Sequence, residues 1–120
     1  MARLWIALGA LYGLLGVALA AYSAHAGLDD RAAILLGRAS EIALWHAPTL
    51  LFAALWRERA GRLADAAGLA FALGVPLFSG AVAALALGLV RHAAAAPFGG
   101  SLLMLGWALL VISAARGKQD

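Results

Sequence analysis

The feature that most constrains this chain is the recurrence of long apolar runs. Four stretches, at about 4–24, 39–56, 66–90 and 100–115, hold almost only aliphatic, small and aromatic residues. Each approaches the roughly 20 residues that a helix needs to cross a hydrocarbon layer about 30 Å thick. Inside lipid every backbone N–H and C=O must find a partner within the protein, and separate runs of this kind can do so as α-helices. The alternative, a soluble domain, fails on composition. The chain is 65% hydrophobic and 12% charged, with a mean hydropathy of +0.93, whereas soluble chains run near 45–50% apolar and about 25% charged. The expectation is an all-α protein forming one integral membrane domain over residues 1–120, a membrane-spanning four-helix bundle with little mass outside the bilayer.

The second run stands apart. Arg38–Trp56 reads RASEIALWHAPTLLFAALW and carries Glu41, His46 and Pro48 within an otherwise apolar segment. At about 100° per residue, Arg38, Ile42, Trp45, His46, Thr49, Phe52 and Ala53 fall within roughly 140° of Glu41. Ala43, Leu44, Ala47, Leu50, Leu51, Ala54 and Leu55 fill much of the opposite arc. Such a division suits a spanning helix with one side against lipid and the other against protein. Glu41 lies about 3 Å into the run and His46 roughly 10 Å, at about 1.5 Å per residue. Glu41 can therefore sit at headgroup level, paired with Arg38 one turn back. His46 is the deep titratable group, and it is expected to face the other helices.

Around this run the chain is punctuated simply. Leu4–Ala24 is the first span. Arg3 before it and Ala24-His25-Ala26 after it imitate a secretory signal, but the apolar run exceeds a usual signal core, so it is read as a retained span. Gly9, Gly13, Gly16 and Ala20 share one face, a small-residue stripe that admits a close neighbouring backbone. Trp5 and Tyr22 suit the interfaces, while Tyr12 lies deep enough to pack inside. Asp29 or Asp30 can cap a short interfacial helix between spans 1 and 2 that Gly37 would end. Pro48 deprives the Leu44 carbonyl of its partner and should bend the second span. Arg57–Asp65 reads as a basic loop. Pro76 interrupts the third span, and Pro97 with Gly99 and Gly100 precedes the fourth. Gly99, Gly106 and Ser113 recur at intervals of seven, a second close-packing seam.

The basic residues orient the bundle. Arg3, Arg57, Arg59, Arg62, Arg116 and Lys118 fall on one side, and Arg31, Arg38 and Arg91 on the other, partly offset by Asp29 and Asp30. The positive-inside rule then places both termini in the cytoplasm. The net charge of +3 reports this topology, and no nucleic-acid partner is expected. On the same topology His25, Glu41, His46, His92 and the Pro97–Gly100 turn share the outer half.

Several of these pieces together resemble a known family. Ser23-Ala24-His25 closes the first span, Glu41 and His46 sit in the second, LFSGAVAALALG runs from Leu77 in the third, and PFGGSLLMLGW covers Pro97–Trp107. In this order and spacing they are similar to the small four-span bacterial inner-membrane proteins called YgdD-like, domain-of-unknown-function family 423, with eukaryotic relatives called transmembrane protein 256. Ser23 and Ala24 depart from the glycine-richer turn usual there. The resemblance implies the four-span fold and a bacterial inner-membrane location, and it implies no reaction.

The functional expectations follow. His25, Glu41 and His46 form a candidate cluster for a cation, a proton or a small polar ligand. Glu41 and His46 are five apart, about 140° around a helix, unlike the i, i+4 pair of a helical metal motif, and no metal or cofactor is expected. Pro48, Pro76, Pro97, Gly99, Gly100, Gly106 and Trp107 are read as turn and packing positions. No nucleophile, base and acid stand at a defensible spacing, and the absence of cysteine excludes thiol chemistry and disulfides. The leading expectation is a structural or accessory membrane protein whose partners are lipids, itself or a larger membrane complex. The rival is a transporter-like or ligand-binding module that uses the His/Glu cluster.

Overall fold

A computed structural model describes residues 1–116, so Lys118 lies outside the described residues. The described chain is helical throughout its regular structure. α1 spans Ala2–His25, α2 Asp30–Ala60, α3 Arg62–Val75, α4 Ala81–Ala86 and α5 Ala96–Arg116, with a π-helical turn at Pro76–Gly80 between α3 and α4. Among the described residues three stretches are long and apolar enough to cross a membrane: Ala2–His25, Arg62–Ala86 and Ala96–Arg116. α2 is long but is not among them. Ser40, Glu41, His46 and Thr49 dilute the apolar content of its centre.

The turn chemistry explains where each helix begins and ends. The Asp29 carboxylate accepts from the Ala32 amide at 2.9 Å, which starts α2. No separate interfacial helix follows. α2 continues for 31 residues through Gly37 and Pro48, because a glycine interrupts a helix only where the chain turns left-handed, and Gly37 does not. The turn does come at Gly61, whose φ of 53° is a conformation that favours glycine. Arg57–Asp65 is therefore a one-residue corner rather than a loop. The Arg57 guanidinium Nε meets both Asp65 oxygens, at 2.7 and 2.8 Å, and ties the corner shut.

The third span ends earlier than residue 90. Gly88 has a φ of 73°, its amide donates to the Leu85 carbonyl, and the Leu89 amide donates to the Ala84 carbonyl. These are the two bonds of a Schellman stop, with glycine at the left-handed position.

α2 and α3 occupy the centre, with α1 packed along α2 and α5 along α3. The two flanking pairs are close, and glycine makes them so. A Cβ on Gly9 would lie 2.8 Å from the Ala47 carbonyl oxygen, and one on Gly16 2.7 Å from the Leu44 side chain. A Cβ on Gly99 would lie 2.8 Å from the Gly74 carbonyl oxygen, and one on Gly106 2.6 Å from the Phe71 ring. Ser113 completes the seven-residue seam, fully buried.

The wider contacts are bridged by aromatic side chains. From α1, Trp5 donates to Asp65 at 3.0 Å and the Tyr12 hydroxyl to the Ala72 carbonyl. From α2, Trp56 donates to Ser113 at 2.9 Å. Trp5 is thus a buried packing residue, 1% exposed. The outer surface is greasy, with Leu14 68%, Leu55 74% and Val111 70% exposed. Such apolar exposure around the molecule marks a surface made for an apolar surrounding.

Candidate functional site

The buried imidazole of α2 defines the site. His46 is 4% exposed, and both of its ring nitrogens are engaged. Nδ1 lies 2.7 Å from the Ile42 carbonyl oxygen one turn back, and Nε2 lies 3.1 Å from Trp107 Nε1 on α5. An indole N–H can only donate. Nε2 is therefore the acceptor, the proton sits on Nδ1 and is given to Ile42, and the imidazole is neutral.

Phe71 of α3 closes the group. The His46 ring centroid lies 5.5 Å from that of Phe71 and 5.8 Å from that of Trp107, and the last two lie 5.4 Å apart in an edge-to-face arrangement. Three helices thus meet at three rings, at separations favourable for tilted aromatic pairs.

The other sequence candidates lie elsewhere. His25 is the last residue of α1 and is exposed, and Glu41 is exposed on α2. Neither is a hydrogen-bond partner of His46, and among the described residues no three His, Cys, Asp or Glu side chains stand where they could hold a metal ion. Glu41 makes no ion pair with Arg38 or His25 among the described residues.

The division of α2 into faces also differs from the sequence reading. Ala39, Ala43, Ala47, Leu50 and Ala54 are buried together with His46, Thr49 and Ala53, whereas Arg38, Glu41, Trp45 and Phe52 face out. Small side chains permit the closest helix approach, so they take the interior. Trp45 and Phe52 are wide enough to hold helices apart and are left outside.

Pro97 and Gly99-Gly100 open α5, and Gly106 and Trp107 follow on the same helix. Pro76 starts the π-turn, and Pro48 stays within continuous α-helix. Between α2 and α5 lies an open cleft of about 730 Å³, lined mainly by apolar side chains, with His46 and Trp107 on its wall beside Ile42, Trp45, Pro97 and Met104. Among the described residues every buried side-chain nitrogen and oxygen has a partner. Ser79 donates to the Ala39 carbonyl at 2.8 Å, and Ser40 to the Gly16 carbonyl at 2.7 Å. Sequence reasoning passed over Phe71, Ser40, Ser79 and Asp65. The partners of Phe71, Ser40 and Ser79, and Trp5 as a partner of Asp65, lie far off in the chain, and no local spacing announces them.

The family model described as "Protein of unknown function (DUF423)" matches residues 19–100. The chain belongs to the DUF423 family. Its relatives are named as membrane proteins. A UPF0382 membrane protein of Staphylococcus epidermidis is 33% identical over 116 residues, covering 92% of this chain and 94% of the relative. One of Staphylococcus haemolyticus is 32% identical over 115 residues, with the same coverage. No solved structure matches the chain. The DUF423 match takes in His25, Glu41, His46 and Phe71 and ends at Gly100, so Trp107 lies beyond it.

Proposed function

We propose that this DUF423 protein is a four-span module of the bacterial inner membrane that works through its helix and lipid contacts rather than through a reaction centre. α2 is the fourth crossing. Its 31 residues extend roughly 46 Å at about 1.5 Å per residue, enough to pass the hydrocarbon layer. Its polar centre is tolerable there because Ser40, His46 and Thr49 are turned inward and bonded. The first two turns of α2 then lie at headgroup depth, and the basic residues keep both ends of the chain cytoplasmic.

One observation carries the structural reading: His46 has both nitrogens committed, one to its own helix and one to α5. A histidine that relays protons or binds a cation needs a free nitrogen facing a path. This one clamps two helices that otherwise barely meet. The partners expected of such a module are membrane lipids, a second copy or a larger membrane complex.

Two experiments test the proposal. The chain has no cysteine, so single cysteines at Ala26, Glu58 and Leu89 report topology. The expected result is labelling of Ala26→Cys and Leu89→Cys from outside and of Glu58→Cys from the cytoplasm. In proteoliposomes, proton or cation flux equal to that of empty vesicles is expected. Flux that is present in the wild type and absent in a folded His46→Ala variant would overturn the structural reading in favour of a transporter.

A further inference from the structure

A second, smaller cleft of about 310 Å³ adjoins the first, lined by Leu35, Arg38, Glu41, Ile42, Trp45 and Phe78. Ile42, Trp45 and Phe78 line both, so the two lie side by side along α2 and make a two-part groove. Its ends differ. The end toward Gly37 carries Arg38 and Glu41, and the body is apolar as far as Met104 and Trp107. Arg38 and Glu41 stand three residues apart, on neighbouring turns of one helix face. They are not paired with each other, nor does either make a hydrogen bond or ion pair with another described residue. A cation and an anion are thus held open, side by side, at the mouth of a greasy slot.

We propose that this groove is a binding site for a phospholipid with an ethanolamine phosphate headgroup. Its phosphate lies against Arg38, its ammonium donates to Glu41, and one acyl chain runs along the apolar body past Ile42, Trp45 and Met104. Charge complementarity selects the occupant. A glycerol headgroup would satisfy Arg38 but offer Glu41 only neutral hydroxyl donors and no cation, and a choline headgroup has no N–H to give the carboxylate. The volumes fall in the roughly 300–1,000 Å³ range of small-molecule sites. The arrangement follows the general pattern of an apolar pocket with a few placed polar groups. The charged end lies near headgroup depth and the slot runs inward for about 12 Å from Arg38 to His46, at about 1.5 Å per residue. This inference rests on α2 crossing the bilayer, which the cysteine-labelling pattern tests independently.

The experiment is native mass spectrometry of the full chain in detergent. Phosphatidylethanolamine, phosphatidylglycerol and phosphatidylcholine of matched acyl chains are added in equal amounts. The expected result is retention of phosphatidylethanolamine about fivefold over phosphatidylglycerol, the upper end of what an exposed charge pair gives. Glu41→Gln should bring that ratio near one, and Arg38→Gln should lower retention of all three lipids. Gly100→Leu should block the slot, since a Cβ there meets only Phe78 at an ordinary 3.9 Å. Circular dichroism checks that each variant stays helical, and if Gly100→Leu unfolds, Met104→Trp narrows the same slot. Equal retention of the three lipids by the wild type, or a ratio unchanged in Glu41→Gln, would overturn the proposal. So would a dimer mass that Gly100→Leu abolishes, which would make a second copy of the chain the occupant.

Discussion

The contact of α1 with α2 and that of α2 with α5 show two ways of joining helices in one small bundle. The first is a seam without side chains. Gly9 and Gly16 let the backbones approach until there is no room for a methyl group. The second is held by reach. α2 and α5 stand apart with a cleft between them, and His46–Trp107 and Trp56–Ser113 span the gap by hydrogen bonds. Seams of the first kind depend on shape and have no room for an added atom at their closest points, Gly9 and Gly16. Bridges of the second kind depend on donors and acceptors and leave space beside them. The difference suggests where the molecule is rigid and where it can receive something.

The largest effect should come from adding one carbon to a seam. Gly99→Ala on α5 places a Cβ against the Phe78 amide nitrogen and 2.8 Å from the Gly74 carbonyl oxygen. Because the obstruction is backbone, a loss of about 3 kcal/mol or outright failure to fold is expected. Its neighbour is the control: Gly100→Ala has room and should be neutral or slightly stabilising, through the roughly 1 kcal/mol helix preference of alanine over glycine. Denaturation in detergent followed by circular dichroism measures both, and similar values for the two would break the contrast.

A bridge should cost less. His46→Leu and Trp107→Phe combined in a double-mutant cycle should give a coupling of about 0.6–1.7 kcal/mol, as for hydrogen bonds between membrane helices. A coupling of zero would leave the gap without its clamp.

The corner between α2 and α3 comes next. Asp65→Asn removes the Arg57 pair, whose arginine is 40% exposed, so a loss of at most about 1 kcal/mol is expected. The wild type should lose part of the same stability in molar salt, and a salt-independent melting temperature would assign Asp65 to Trp5 alone. The smallest effect belongs to Ser101→Ala. This exposed hydroxyl bonds only the Pro97 carbonyl of its own helix, and a change within about 0.5 kcal/mol is expected in the same denaturation series.

The sequence was most legible where one short spacing carries the physics. The stripe of Gly9, Gly13 and Gly16, though not its last member Ala20, which is exposed, and the interval Gly99, Gly106, Ser113 mark the close-packed faces, because a missing side chain is a local fact. The inward turn of His46 was equally readable, since a deep imidazole facing lipid would lack partners. Its actual partner was not, because Trp107 lies 61 residues away and no pattern in either helix names the other. Glu41 was less legible, because polarity alone does not choose a direction. At the end of a span, a carboxylate finds water or headgroups as readily as protein, and only packing decides. Gly37 and Gly88 make the same point for boundaries: both glycines follow apolar residues, yet of the two only Gly88 turns left-handed and stops a helix.

The wide turn at Pro76–Gly80 has a consequence for how this protein could vary. A π turn holds one residue more than an α turn, so it sets the rotational phase of everything after it. As built, Phe71 and Gly74 address α5 before the turn, Ser79 is buried within it and Val82 after it. Removing one residue between Leu77 and Gly80 would let the segment relax to ordinary helix without breaking the chain. It would also swing every later side chain of that span by about 100°. The length of those five residues is in effect a dial, and natural variants should conserve its setting more strictly than its chemistry.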